Sequence, residues 1–133
     1  KASQHVENKQ GQTPLMLAVD AGHVEVVRFL VDKDADLDAC EADGFTALAI
    51  AASNGLKDIV EILVEANANL DTQNRSGETA LIAAAAGGHT DVVRILLAAG
   101  ADAEIANNDG ATALNVAETG NHADVVQLLN SQL

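Results

Sequence analysis

The sequence predicts an all-α repeat solenoid, in which helix-turn-helix units follow one another through short hairpin-like turns. Three observations predict it. First, six columns of residues recur every 33 positions. These are Gly11, Gly44, Gly77 and Gly110; Thr13, Thr46, Thr79 and Thr112; Leu15, Leu48, Leu81 and Leu114; Ala18, Ala51, Ala84 and Ala117; Val27, Val60, Val93 and Val126; and Leu30, Leu63, Leu96 and Leu129. Second, apolar residues inside each period fall at helical spacing. Third, 48 % of the 133 residues are apolar but only 2 % are aromatic, so the core is built from Ala, Val, Leu and Ile. A period of this length marks a supersecondary unit that cannot bury its apolar face alone and does so by stacking.

The elements follow in order. Residues 1–7 read as the tail of a preceding repeat, because Gln4 to Glu7 align with Leu70 to Gln73. Repeats then occupy 8–40, 41–73, 74–106 and 107–133. Within each, the Thr hydroxyl is an N-cap for a first helix of about two turns. Pro14 takes the first helical position in the first copy, where no N–H is required, and Ala47, Ala80 and Ala113 take it in the others. Gly22, Gly55 and Gly88 end that helix through a positive φ, with Asn121 in the fourth copy. The second helix carries an apolar stripe: Val26, Val27, Leu30 and Val31 in the first copy, Ile59, Val60, Leu63 and Val64 in the second. Phe29 falls in the same stripe and is expected in the core. Polar turns around Asp43-Gly44 and Asp109-Gly110 suit a hairpin.

These columns resemble the ankyrin repeat. The matching residues are Thr13-Pro14-Leu15-Met16-Leu17-Ala18 with Ala21-Gly22-His23, Thr46-Ala47-Leu48-Ala49-Ile50-Ala51 with Asn54-Gly55, Thr79-Ala80-Leu81-Ile82-Ala83-Ala84 with Gly88-His89 and Gly100-Ala101-Asp102, and Thr112-Ala113-Leu114-Asn115-Val116-Ala117 with His122. The resemblance covers nearly the whole chain. One feature departs from it: Met16, Ala49, Ile82 and Asn115 stand where the family signature has His after the Leu. Asparagine hydroxylation, a property of some members, does not carry over, since the relevant turn column holds Asp38, Asp71 and Glu104.

The ends of the array differ. Glu118 and Asn130 replace small or apolar residues at stacking positions, which marks the fourth copy as a C-terminal cap facing water. The first copy looks like an internal repeat, with Val19 and Val31 suited to a neighbour. The expectation is a fragment of a longer array or a weakly capped start. The chain is read as a monomer whose open N-terminal face allows weak self-association.

Several function classes are excluded by composition. Seven Lys and Arg against 20 Asp and Glu give a formal net charge of −13, which opposes nucleic-acid binding. Two Phe, with no Tyr or Trp, leave no platform for base stacking. No stretch of about 18 apolar residues suggests a membrane span, and no apolar signal core opens the sequence. With the lone Cys40, this points to an intracellular protein of the cytoplasm or nucleus.

No catalytic constellation emerges, so the chain is read as a non-enzyme with no cofactor and no metal. His23, His89 and His122 share one repeat position. Stacked helices lie about 8–10 Å apart, whereas zinc ligands converge to ~2 Å from one centre. They are read as turn residues bonding backbone. Asp32, Asp34, Asp36 and Asp38 alternate like a calcium loop, but Leu37 and Asp43 stand where Gly and a bidentate Glu belong, so this is a solvated acidic loop. Cys40 lies beside Glu41 and Asp43, which disfavour a thiolate nucleophile. Asn74-Arg75-Ser76 is a fortuitous glycosylation sequon.

What remains is surface recognition. The resemblance implies a concave groove lined by hairpin tips and first helices. Its variable positions are Lys9, Gln10, Gln12, Asp20 and Ala21; Ala42, Asp43, Phe45, Ser53 and Asn54; Arg75, Ser76, Glu78, Ala86 and Gly87; and Asn108, Asp109, Ala111, Thr119 and Gly120. The lining of copies three and four is small and bland, so the site centres on copies one to three: Lys9, Gln10, Gln12, Asp20, Asp43, Phe45, Ser53, Asn54, Arg75 and Glu78. Phe45 is read either as an exposed anchor or as a side chain folded onto a neighbouring hairpin. The expected function is binding a protein or peptide, with charge steering toward basic partners. The alternative is a structural spacer or consensus-like designed scaffold without a native partner.

Overall fold

The computed structural model describes residues 10–131, which form eight α-helices and no strand. The helices come in four pairs: α1 (Pro14–Asp20) with α2 (Val24–Asp32), α3 (Ala47–Ser53) with α4 (Lys57–Glu65), α5 (Ala80–Ala86) with α6 (Thr90–Ala98), and α7 (Ala113–Thr119) with α8 (Ala123–Asn130). The first helices pack in one layer and the second helices in another, each against its equivalent in the next pair. This is an all-α solenoid.

Each first helix starts at a Thr in extended backbone. The hydroxyls of Thr13, Thr46, Thr79 and Thr112 accept the N–H three residues on, at 3.2, 3.1, 3.2 and 3.3 Å. Each satisfies a donor that the helix leaves orphaned. The helix ends through Gly22, Gly55, Gly88 or Asn121, at φ of 74°, 71°, 70° and 60°. Two overlapping bonds close that turn, as in Gly22 N to Val19 O (2.9 Å) and His23 N to Ala18 O (3.0 Å).

Between pairs the chain makes a hairpin-like turn. The N–H groups of Glu41, Asn74 and Asn107 donate to the carbonyls of Phe45, Glu78 and Ala111 at 3.0, 3.0 and 2.8 Å. A side-chain oxygen of the same three residues accepts two further N–H groups of its own turn. The tips then join one another: Ala42 N to Gln10 O, Arg75 N to Asp43 O and Asn108 N to Ser76 O, at 2.9 to 3.0 Å. At Gly44 the φ is 88° and an added Cβ would lie 2.9 Å from the Asn74 Cα, so glycine is required by conformation and by space.

The core runs along the interface between the layers. Val19, Ala52 and Ala85 are fully buried under the following pair, while Glu118 in the same column is exposed, as is Asn130. Phe29 corrects the sequence expectation. It is 58 % exposed, and Val26 beside it is 46 % exposed. Their equivalents Ile62 and Ile59 are buried, at 7 % and 1 %. These columns face the preceding pair, and α2 has none before it among the described residues. Lys33 lies over the Phe29 ring instead, its Nζ 5.6 Å from the centroid. Val19 is likewise not part of an open N-terminal face, because it points at the second pair. The large apolar residues exposed on the first pair are Leu17, Val26 and Phe29.

Candidate functional site

Five of the ten residues singled out from the sequence converge. Gln12, Asp20, Phe45, Ser53 and Asn54 line an open cleft of about 210 Å³ where the first and second pairs meet, together with Glu41 and Ile50. The elements explain the convergence. Asp20 is the last residue of α1, Ser53 the last of α3, and Asn54 caps α3. Phe45 leads into α3, with its N–H held by Glu41 Oε1 at 3.0 Å.

Phe45 is half-buried and packs against the core, with part of the ring left to the cleft. Asp20 is exposed, and no described residue bonds its carboxylate or its carbonyl. Glu41 was missed by sequence reasoning. Its signal is the column it shares with Asn74 and Asn107, where a side-chain acceptor closes the hairpin. Ile50 was missed because its column, with Leu17, Ala83 and Val116, looks like ordinary core.

Four other candidates lie on the hairpins, outside this cleft. Gln10 and Asp43 are exposed at the tips, and their carbonyls accept the inter-tip bonds. Arg75 is exposed, and its carbonyl accepts Asn108 Nδ2 at 2.7 Å. Glu78 is half-buried, with its Oε1 3.3 Å from Asn74 Nδ2. Lys9 lies outside the described residues, as do residues 1–7.

His89 and His122 bridge consecutive pairs. Each Nε2 lies 3.0 Å from a carbonyl at the end of the preceding first helix, Ser53 for His89 and Ala86 for His122. A carbonyl only accepts, so Nε2 carries the proton in both. The rings sit in slots made by two glycines. An added Cβ would come within 2.6 Å of the His89 ring at Gly55 and at Gly87, and within 2.6 to 2.7 Å of the His122 ring at Gly88 and Gly120. The second pair has Leu56 at this position, so nothing lies within 4 Å of a Cβ at Gly22.

Two aspartates of the acidic loop bond backbone N–H groups. Asp36 Oδ1 accepts Asp38 N at 3.0 Å, and Asp38 Oδ1 accepts Asn69 N of the next pair at 2.9 Å. Asp71 repeats this with Asp102 N at 3.0 Å. Among the described residues, no three His, Cys, Asp or Glu side chains are grouped to hold a metal ion. No described helix is long and apolar enough to cross a membrane. A larger hollow of about 660 Å³ lies at the other end of the stack, lined by Glu118, Asn121, Ala123, Val126, Gln127 and Asn130. It is the end face that, inside the array, the following pair would cover.

A family model described as ankyrin repeats (3 copies) matches residues 1–74 and residues 66–132. No curated protein matches the chain.

Proposed function

The chain belongs to the ankyrin repeat family, whose members are generally protein-interaction modules, and from that premise we propose that it is a non-enzymatic binding module. Its partner is a protein or peptide, seated on the face made by the first helices and hairpin tips. The observation that carries this reading is the cleft between the first two pairs, where an aromatic ring, an exposed carboxylate and adaptable amides adjoin without any catalytic grouping. Such a mixture of an apolar floor and a few convergent polar groups is what a recognition surface requires.

Three further features support it. The first helices bury many Ala, such as Ala49, Ala52, Ala84 and Ala85, whereas the second helices bury mainly Ile, Val and Leu. Smaller contacts allow closer approach, which favours curvature toward the first-helix side, as expected of the concave groove that the family resemblance implies. The hairpin tips are fixed by backbone bonds, so a partner meets a preorganised surface. The net charge of −13 favours basic partners and speeds their encounter. The module works in the cytoplasm or nucleus as a monomer.

The test is a quantitative pull-down from cell lysate. A Phe45→Ala, Arg75→Ala double variant, with folding checked by thermal melting, is compared with the unaltered chain. Proteins retained by the chain and lost by this variant, but kept by an Asn108→Ala, Thr119→Ala variant, support the placement. Loss only in the Asn108 and Thr119 variant refutes it. Retention of nothing specific by any form favours a spacer without a partner.

A further inference from the structure

The first junction lacks a bond that the next two possess. His89 satisfies the Ser53 carbonyl and His122 the Ala86 carbonyl. Asp20 occupies the equivalent position on α1, but the second pair offers Leu56, whose side chain has no donor. Among the described residues nothing else reaches the Asp20 carbonyl. The same residue carries an exposed carboxylate with no described partner. Asp20, which lines the cleft together with Phe45, therefore offers two acceptors without a described partner. At the other junctions an imidazole N–H fills the corresponding place.

We propose that this cleft takes an arginine side chain of a basic partner peptide, with the guanidinium donating to the Asp20 carbonyl and carboxylate and lying along the Phe45 ring. Arginine fits because its planar fork carries five donors and no acceptor, matching a site that offers acceptors in two directions. Its planar group also stacks on an aromatic face, which lysine's compact ammonium does less well. Asp20 ends α1, where the helix dipole and the one carbonyl left without a described partner both favour a cation. The net charge of −13 supplies long-range attraction. This inference rests on the proposed binding face and adds the chemistry of what binds there.

The missing histidine can be put back. At the other junctions the ring needs glycine two residues earlier, since a Cβ at Gly87 or Gly120 would meet Nε2 at 2.6 or 2.7 Å. Asn54 holds that place in the second pair, so the variant that closes the site is Asn54→Gly with Leu56→His. Its reference is Asn54→Gly alone.

The experiment is a titration of the full ¹⁵N-labelled chain with N-acetylarginine amide, followed through backbone amide shifts, with N-acetylcitrulline amide as the neutral isostere. The arginine compound should shift amides around Asp20, Phe45 and Asn54 saturably, and the citrulline compound should not. Asp20→Asn should weaken the apparent Kd about two- to fivefold, the range of an exposed ion pair. The Asn54→Gly, Leu56→His variant should bind at least about tenfold more weakly than Asn54→Gly, whose own response, whatever its size, is the reference. Equal shifts with citrulline, shifts spread over all acidic loops, or an unchanged response in the Asn54→Gly, Leu56→His variant would overturn the proposal. Should the arginine response be absent while Phe45→Ala, Arg75→Ala still abolishes capture of a partner, this inference fails and the binding face stands.

Discussion

Gly87 has an ordinary φ of −84°, so its backbone does not call for glycine. The His89 ring does, because a Cβ at residue 87 would meet Nε2 at 2.6 Å. Gly87→Ala should push the ring off the Ser53 carbonyl and destabilise the protein by about 1 kcal/mol, the net worth of one hydrogen bond. In a His89→Ala background the same change should be neutral or stabilising by about 0.4–1 kcal/mol, because it then only restricts the unfolded chain. Urea denaturation of the four members of the cycle checks both signs. The sequence showed His23, His89 and His122 in one column and pointed to backbone bonding. It did not show that the ring depends on the residue two places earlier, since that coupling exists only once the pairs are stacked. Ala21 stands at that place beside His23, which is exposed. Phe29 teaches the same lesson from the core. Its column is apolar in all four copies, yet burial in a solenoid belongs to the neighbour and not to the residue. Phe29→Ser should cost at most about 0.5 kcal/mol, and Ile62→Ser several times more.

Helices and turns were more legible, because each is specified by local chemistry repeated four times. Thr at the cap, a positive-φ residue at the end and an Asp-Gly or Ser-Gly tip need no tertiary context to be read. The caps nonetheless differ in weight. Thr79 is buried, with its hydroxyl 3.2 Å from Ile82 N, and Thr79→Ala should cost about 1–2 kcal/mol. Thr112 shares its cap with Asn115, whose Oδ1 accepts Thr112 N at 3.0 Å, so Thr112→Ala leaves part of the cap in place and should cost less. Thermal melts of the two variants compare them directly. The candidate site was half legible for the same reason. Gln12, Asp20, Phe45, Ser53 and Asn54, assigned to the groove through the resemblance and the register together, meet in one cleft. Glu41 escaped, since its role as a hairpin acceptor is visible only beside Asn74 and Asn107. Arg75 and Glu78 were grouped with them by register, but lie one hairpin further along the stack.

At the scale of the whole molecule, stability is a sum of pairs and junctions. The first junction lacks the histidine bridge, and the first pair leaves Leu17, Val26 and Phe29 exposed. Native-state hydrogen exchange should therefore find α1 and α2 opening at lower free energy than α5 and α6, which have a pair on each side. The weaker end is also where the cleft lies, so a bound partner should raise protection there most. Charge acts over the same distance: association with a basic partner should slow by at least about tenfold from low to high salt. The claim that the first-helix and hairpin face receives a partner is tested most directly by hydrogen-exchange footprinting with a protein retained in the pull-down. Protection concentrated in residues 10–20 and 41–54, falling away toward 108–120, is the predicted result. Protection centred instead on the second-helix face, around Arg28, Glu61 and Arg94, would contradict it.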